Sequence, residues 1–143
     1  MTGESGGRKV HVFVVEDNPA DVLLLRMALQ HAELDCELTV IDDGREALDF
    51  VRQRGQYASA PAPDLAVLDL NIPKNDGLEI LEAMRADRAF AEVPVAILSS
   101  SSSPRDRAKM EPFRIGRFIA KPPDLDEYLK IGLILKELLL EGK

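Results

Sequence analysis

Apolar residues in this chain gather in short, nearly unbroken runs, separated by longer stretches in which they recur every three or four positions. The runs are Val10–Val15, Leu38–Ile41, Leu65–Leu68, Val95–Leu98 and Arg117–Ala120. They are rich in β-branched residues, and a strand that is apolar on both sides belongs in a parallel sheet covered on both faces. Each run leads to a helix-start signal. Asn18 precedes Pro19, an N-cap followed by proline at the first helical position. Asp43 with Glu46, Asp76 with Glu79, and Asp124 with Glu127 have the spacing of capping boxes, with Asp in place of Ser or Thr. Ser103 before Pro104, with Asp106 three residues on, makes the fifth. Five strand–helix repeats predict an α/β fold: a doubly wound, five-stranded parallel sheet with right-handed crossovers and five helices.

The same pattern sets the domain organisation. Residues 1–8 are rich in Gly, Ser and charge and read as a flexible N-terminal tail. Residues 9–143 read as one domain with no output domain behind the fifth helix. Arg54–Pro63 (RGQYASAPAP) carries small residues and two prolines, and is expected to form an exposed loop before the third strand. The fifth helix has more apolar residues than one face needs. Leu125, Tyr128, Leu129, Leu135 and Leu139 make a core stripe, while Ile131, Ile134 and Leu138 make a second beside it, with Leu133 and Leu140 further round. An ordinary surface helix needs one stripe, so the expectation is a protein interface there, against the plainer reading of a deeply packed terminal helix.

Composition excludes several function classes. With 45% apolar and 30% charged residues, the chain has the balance of a soluble globular domain. The single Cys36 cannot form an internal disulfide, and no apolar run has the length of a membrane span or a signal peptide. The expectation is a cytoplasmic protein with no membrane association. A net charge of −7 argues against nucleic-acid binding, which needs clustered Lys and Arg. Arg105, Arg107, Lys109, Arg114 and Arg117 form a locally basic stretch, read as a solvated helix face.

In open α/β sheets, ligands bind beyond the carboxyl ends of the strands, where strand order reverses. The first strand ends in Glu16 and Asp17, and the third in Asp69, followed by Asn71. The fourth ends in Ser99, with Ser100 to Ser103 behind it, and the fifth in Lys121. Taken singly, each has a plain reading as a cap, a turn residue or a surface lysine. Together they make a coherent set. Three converging acids repel unless a cation lies between them, and hard oxygen ligands without His or Cys suit Mg²⁺. A lysine and a hydroxyl supply a cation and a donor for phosphoryl oxygens. A carboxylate can act as the nucleophile, forming an acyl phosphate.

The stretches VFVVEDNPAD, LAVLDLNIPKNDG, PVAILSSS and FIAKPP resemble the motifs of response-regulator receiver domains, over about residues 9 to 140. The resemblance implies a flavodoxin-like strand order, 2-1-3-4-5. It implies that Asp69 accepts a phosphoryl group from a phosphohistidine of a sensor histidine kinase, in a two-component phosphorelay. Asp17 would bind Mg²⁺ directly, Glu16 mainly through water, and Asn71 through its backbone carbonyl. Lys121 would pair with the Asp69 carboxylate and then with the phosphoryl oxygens. Ser99 would move to the new phosphoryl group, and Phe118 would change rotamer as it does. The Lys121–Pro122 bond would be the family's cis peptide. Glu16 stands where Asp is commoner, Phe118 lacks a tyrosine hydroxyl, and Ile72 replaces Met before Pro73. The long loop, EDNPAD and LNIPKNDG are similar to a single-domain subgroup paired with phytochrome-type kinases. Such a chain would signal by protein contact, through a homodimer on helix four, strand five and helix five, or by onward transfer. It would catalyse only its own phosphorylation and dephosphorylation.

Three rivals are weaker. A phosphohydrolase of the haloacid-dehalogenase type needs a second Asp two residues after the nucleophile, where this chain has Asn71, which cannot act as a general acid. A flavodoxin-like cofactor binder needs a Ser/Thr/Gly-rich phosphate loop after the first strand, and EDNPAD supplies acids instead. A phosphorylation-independent interaction module would not require a complete acceptor set.

Overall fold

The computed structural model describes residues 9–69, 77–99 and 104–141. The expectations on residues 1–8, on Asn71, Ile72, Pro73 and the Asp76 cap, and on Ser100 to Ser103 lie outside the described residues, as does the side chain of Asp106. The strands are β1 (Val10–Val15), β2 (Cys36–Ile41), β3 (Leu65–Asp69), β4 (Val95–Ser99) and β5 (Arg117–Ala120). The helices are α1 (Pro19–His31), α2 (Gly44–Val51), α3 (Gly77–Ala86), α4 (Pro104–Met110) and α5 (Leu125–Glu141). All strand pairs are parallel, in the order β2-β1-β3-β4-β5. Strand order therefore reverses between β1 and β3. Among the described residues no helix is long and apolar enough to cross a membrane.

Within the apolar runs a period of two persists and sorts the side chains into two cores. Phe13, Val15, Ala66, Leu68, Val95 and Ile97 pack with α2 and α3 on one face. Val12, Val14, Leu65, Val67, Ala96 and Leu98 pack with α1 and α5 on the other. Three of the predicted caps, those on described residues, form where the sequence places them. Asn18 Oδ1 accepts from the Ala20 N–H at 2.9 Å, Asp43 Oδ1 from Arg45 at 2.8 Å, and Asp124 Oδ1 from Glu127 at 2.8 Å. Each satisfies a backbone donor that the first helical turn leaves without a partner.

Two details differ from the sequence reading. The loop over residues 54–63 contains a 3₁₀ turn at Gly55–Tyr57, and Tyr57 packs edge-on against Phe50 with ring centroids 5.3 Å apart. The larger difference is in α5. Ile131 and Leu138, assigned to a second stripe, are buried together with Tyr128, Leu135 and Leu139. Leu125, assigned to the core, is 46% exposed at the first helical position. The core face of α5 is wider than one stripe because α1 and the sheet cover it together. Besides Leu125, the large apolar residues of α5 left exposed are Leu133 and Leu140, 49% and 63% exposed.

The α1–α5 contact is close. A Cβ added at Gly132 would collide with the Ala28 carbonyl oxygen, so the missing side chain is what lets the two helix backbones approach. At the amino ends of the strands, Arg85 of α3 donates to five carbonyls. Its Nε reaches Phe113 O at 2.8 Å, its Nη1 reaches Phe90, Ala91 and Val93 O at 2.9–3.2 Å, and its Nη2 reaches Arg114 O at 3.3 Å.

Candidate functional site

The polar residues that close the strands meet at the opposite, carboxyl edge of the sheet. The alternation that sends Val12 and Val14 toward α1 and α5 sends Glu16 the same way. On β3, Leu65 and Val67 do the same for Asp69, and on β5 Ile119 does so for Lys121. Ser99 and Phe118 fall on the opposite parity, with Ile97 and the other core. The Glu16 N–H donates to Ile41 O at 3.0 Å and the Lys121 N–H to Ser99 O at 2.8 Å, so the ladder continues one residue past β1 and β5.

Lys121 Nζ lies 3.1 Å from Glu16 Oε1, 3.0 Å from Asp69 Oδ2 and 2.9 Å from Asp21 Oδ2. The other Glu16 oxygen accepts from the Asn18 N–H at 3.2 Å. Glu16 and Asp69 are 4% and 3% exposed, and Ser99 is equally enclosed. One carboxylate oxygen from each of Glu16, Asp17 and Asp69 lies within 4.8 Å of the others. Of these, Asp17 faces solvent.

The model of the response regulator receiver domain matches residues 12–131. The chain belongs to this family. The receiver is 33% identical over 131 residues to response regulator Rcp1 of Synechocystis sp., covering 92% of this chain and 88% of that one. Its fold superposes on the phosphorylated cyanobacterial phytochrome response regulator RcpA with a TM-score of 0.85, at 34% identity, covering 95% and 97% of the two chains. It superposes on the Mn²⁺-bound form of Rcp1 with a TM-score of 0.82, at 30% identity, covering 92% and 95%. The receiver is thus a response regulator of the two-component type and not a metabolic enzyme.

The electrostatics of this receiver's site are set by burial. Desolvation first, and a shared hydrogen bond with Asp69 next, push the Glu16 carboxyl up to about 7 against the pull of Lys121. Burial acts to lower Lys121, but its hydrogen bonds to Asp21, Asp69 and Glu16 win and raise it. Besides burial, the neighbouring Asp69 carboxylate contributes to that rise, an imbalance of negative charge that Lys121 reduces without cancelling. A divalent cation would relieve that imbalance. The all-oxygen donor set, partly buried and open through Asp17, fits a hard ion that keeps some water.

Ser99 and Phe118 sit one layer away. Phe118 is half-buried against the α2–α3 core, and the Arg107 guanidinium of α4 stands 4.7 Å from its ring centroid. This cation–π contact gives the ring a partner in the position it occupies here. The Lys121–Pro122 bond is trans, like every described peptide bond, which corrects the expected cis geometry. The two isomers of an X–Pro bond differ by only about 0.5–1 kcal/mol, so the sequence alone does not choose between them. Asp21 is the site residue that sequence reasoning did not single out. It read as an ordinary first-turn acid of α1, and the signal that could have found it is its place in EDNPAD, four residues after Asp17.

Proposed function

We propose that Asp69 is the phosphoryl acceptor of this response regulator, taking the group from a phosphohistidine of a sensor histidine kinase. The observation that carries the reading is the position of its carboxylate. It is buried at the point where strand order reverses, 3.0 Å from a lysine and beside two further acids. In the transfer, an Asp69 oxygen attacks phosphorus and the P–N bond breaks, its electron pair staying on the imidazole nitrogen. Lys121 orients the attacking carboxylate and then holds the phosphoryl oxygens. Glu16, Asp17, Asp69 and the Asn71 carbonyl would hold Mg²⁺, which supplies charge neutralisation for the incoming group. Incubation with acetyl phosphate and Mg²⁺ should add one phosphoryl mass to the intact chain. Retention of that adduct by Asp69→Asn would remove the assignment.

The added charge of about −1.5 to −2 is local and must be read at a surface. Ser99 moves to the phosphoryl group, Phe118 leaves Arg107 to fill the space, and the α4–β5–α5 face changes. The similarity to phytochrome response regulators supports a bacteriophytochrome-type kinase as donor, and the acidic composition supports a protein partner in the cytoplasm rather than nucleic acid. The exposed Leu133 and Leu140 support a second copy as one reader of that face. Sedimentation of the chain with and without beryllium fluoride should show a dimer in at least one condition; a monomer in both removes the homodimer.

A further inference from the structure

Lys121 has three carboxylate partners, and one of them lies outside the acid cluster that would hold a metal. Asp21 belongs to the first turn of α1, its side chain is 20% exposed, and its 2.9 Å contact is the shortest of the three. A lysine that must turn to a phosphoryl group on Asp69 has to give up some of these contacts. The contact with Asp21 does not reach the reacting carboxylate, so Asp21 competes with the phosphoryl group for the same ammonium.

The neighbour that would take over Asp21 can be read from the register of α1 against α5. Gly132 lies against Ala28, and Lys136 Nζ donates to Ala32 O at 3.0 Å. The Gly132–Ala28 approach is between backbones and sets the level, so one turn earlier Tyr128 stands close to Leu24. Helical side chains lean toward the amino end of their helix. A tyrosine at this height is placed for its hydroxyl to reach one turn back, toward the level of Asp21. Tyr128 is 2% exposed, and its hydroxyl has no hydrogen-bond partner among the described residues. A buried hydroxyl without a partner is costly and calls for an explanation. Burial, and after it the Asp21 carboxylate ahead of the other charges, pushes this hydroxyl up to about 12.

We propose that Asp21 is a positioning residue that holds Lys121 before phosphorylation, and that Tyr128 donates to Asp21 once Lys121 has turned to the phosphoryl group. The exchange rests on Asp69 being the acceptor. It links the charge state of the site to α5 through the α1–α5 contact, on the face of the sheet opposite Ser99 and Phe118. No proton changes owner: one ammonium leaves the carboxylate and one hydroxyl arrives.

The test is a two-by-two set of variants, wild type, Asp21→Asn, Tyr128→Phe and the double, phosphorylated by acetyl phosphate with Mg²⁺ and followed by intact mass. Asp21→Asn should speed adduct formation about fivefold, because the competitor for Lys121 loses its charge. Tyr128→Phe should shorten the adduct lifetime about threefold in the wild-type background and leave it unchanged in the Asp21→Asn background. The conservative Asp21→Glu should return the formation rate toward wild type. Equal Tyr128→Phe effects in both backgrounds, or an Asp21→Asn rate equal to wild type, overturn the proposal. Should Asp21→Asn unfold, the Lys121 ammonium resonance of the wild type decides. It should shift on adding beryllium fluoride together with the Tyr128 ring signals, and a Tyr128 that stays fixed overturns the exchange. A wild-type chain that forms no adduct on Asp69 is a different result, and it removes the acceptor reading itself.

Discussion

The sheet carries a half-enclosed cation at each end, and the two are held in different ways. At the carboxyl edge, Lys121 sits among three carboxylates at 2.9–3.1 Å. At the amino edge, Arg85 donates to five backbone carbonyls at 2.8–3.3 Å. Neutral carbonyls neither titrate nor repel one another, and the planar guanidinium donates to several of them at once. That arrangement fixes the approach to β4 and β5. The lysine's partners repel one another, one of them holds a proton near neutrality, and a compact ammonium can turn between them. The lesson is that a cation held by charges is ready to change partner, while one held by backbone is not.

The largest expected effect comes from removing the mobile cation. Lys121→Met should cost about 3–5 kcal/mol at pH 8, since enclosed carboxylates lose their counter-ion. At pH 5 the cost should be smaller by about 1 kcal/mol or more, because Glu16 is protonated there and one repelling charge is gone. A cost independent of pH in urea unfolding would break the contrast with Arg85. Arg85→Met should cost about 2–3 kcal/mol, from carbonyls left without donors, and this cost should be the same at pH 5 and pH 8. A pH-dependent cost would mean that a titrating group, rather than the carbonyls, sets its role.

The smallest effect is the wild type's own drift with pH. Glu16 holds its proton to about pH 7 when folded, against an ordinary value of 4.5 when unfolded. Between these values the folded chain binds more protons, so stability falls as pH rises from 4.5 to 7, by about 1–3 kcal/mol. Lys121, raised in the folded state, keeps its contribution throughout that window and loses it only at strongly alkaline pH. Thermal unfolding in the absence of divalent ions should show the fall. Stability that rises over this range would place the protonated acid elsewhere.

The legible parts of this molecule are those whose cause is local. Asn18, Asp43 and Asp124 cap helices because a short acceptor side chain folds back on its own backbone, whatever surrounds it. Glu16, Asp69, Ser99 and Lys121 stand out because a polar group closing an apolar run marks a strand end. Asp21 does not stand out, because an acid in the first helical turn already has a sufficient reason in the helix dipole. Tyr128 hides in the same way, as one apolar body in a core stripe. The assignment of Ile131, Leu138 and Leu125 to stripes of α5 erred because a stripe of apolar residues states how much surface must be covered and not what covers it.

The sequence by itself determined five strand–helix units, the caps at Asn18, Asp43 and Asp124, and which residues stand at the carboxyl ends of the strands. Those features depend on interactions within a few residues and on a period of two. The tertiary structure decided which helices share a face, how far α1 slides along α5, the isomer at Pro122, and that Lys121 meets Asp21. Gly132 shows why: its missing Cβ matters only because Ala28, more than a hundred positions away, is what it faces.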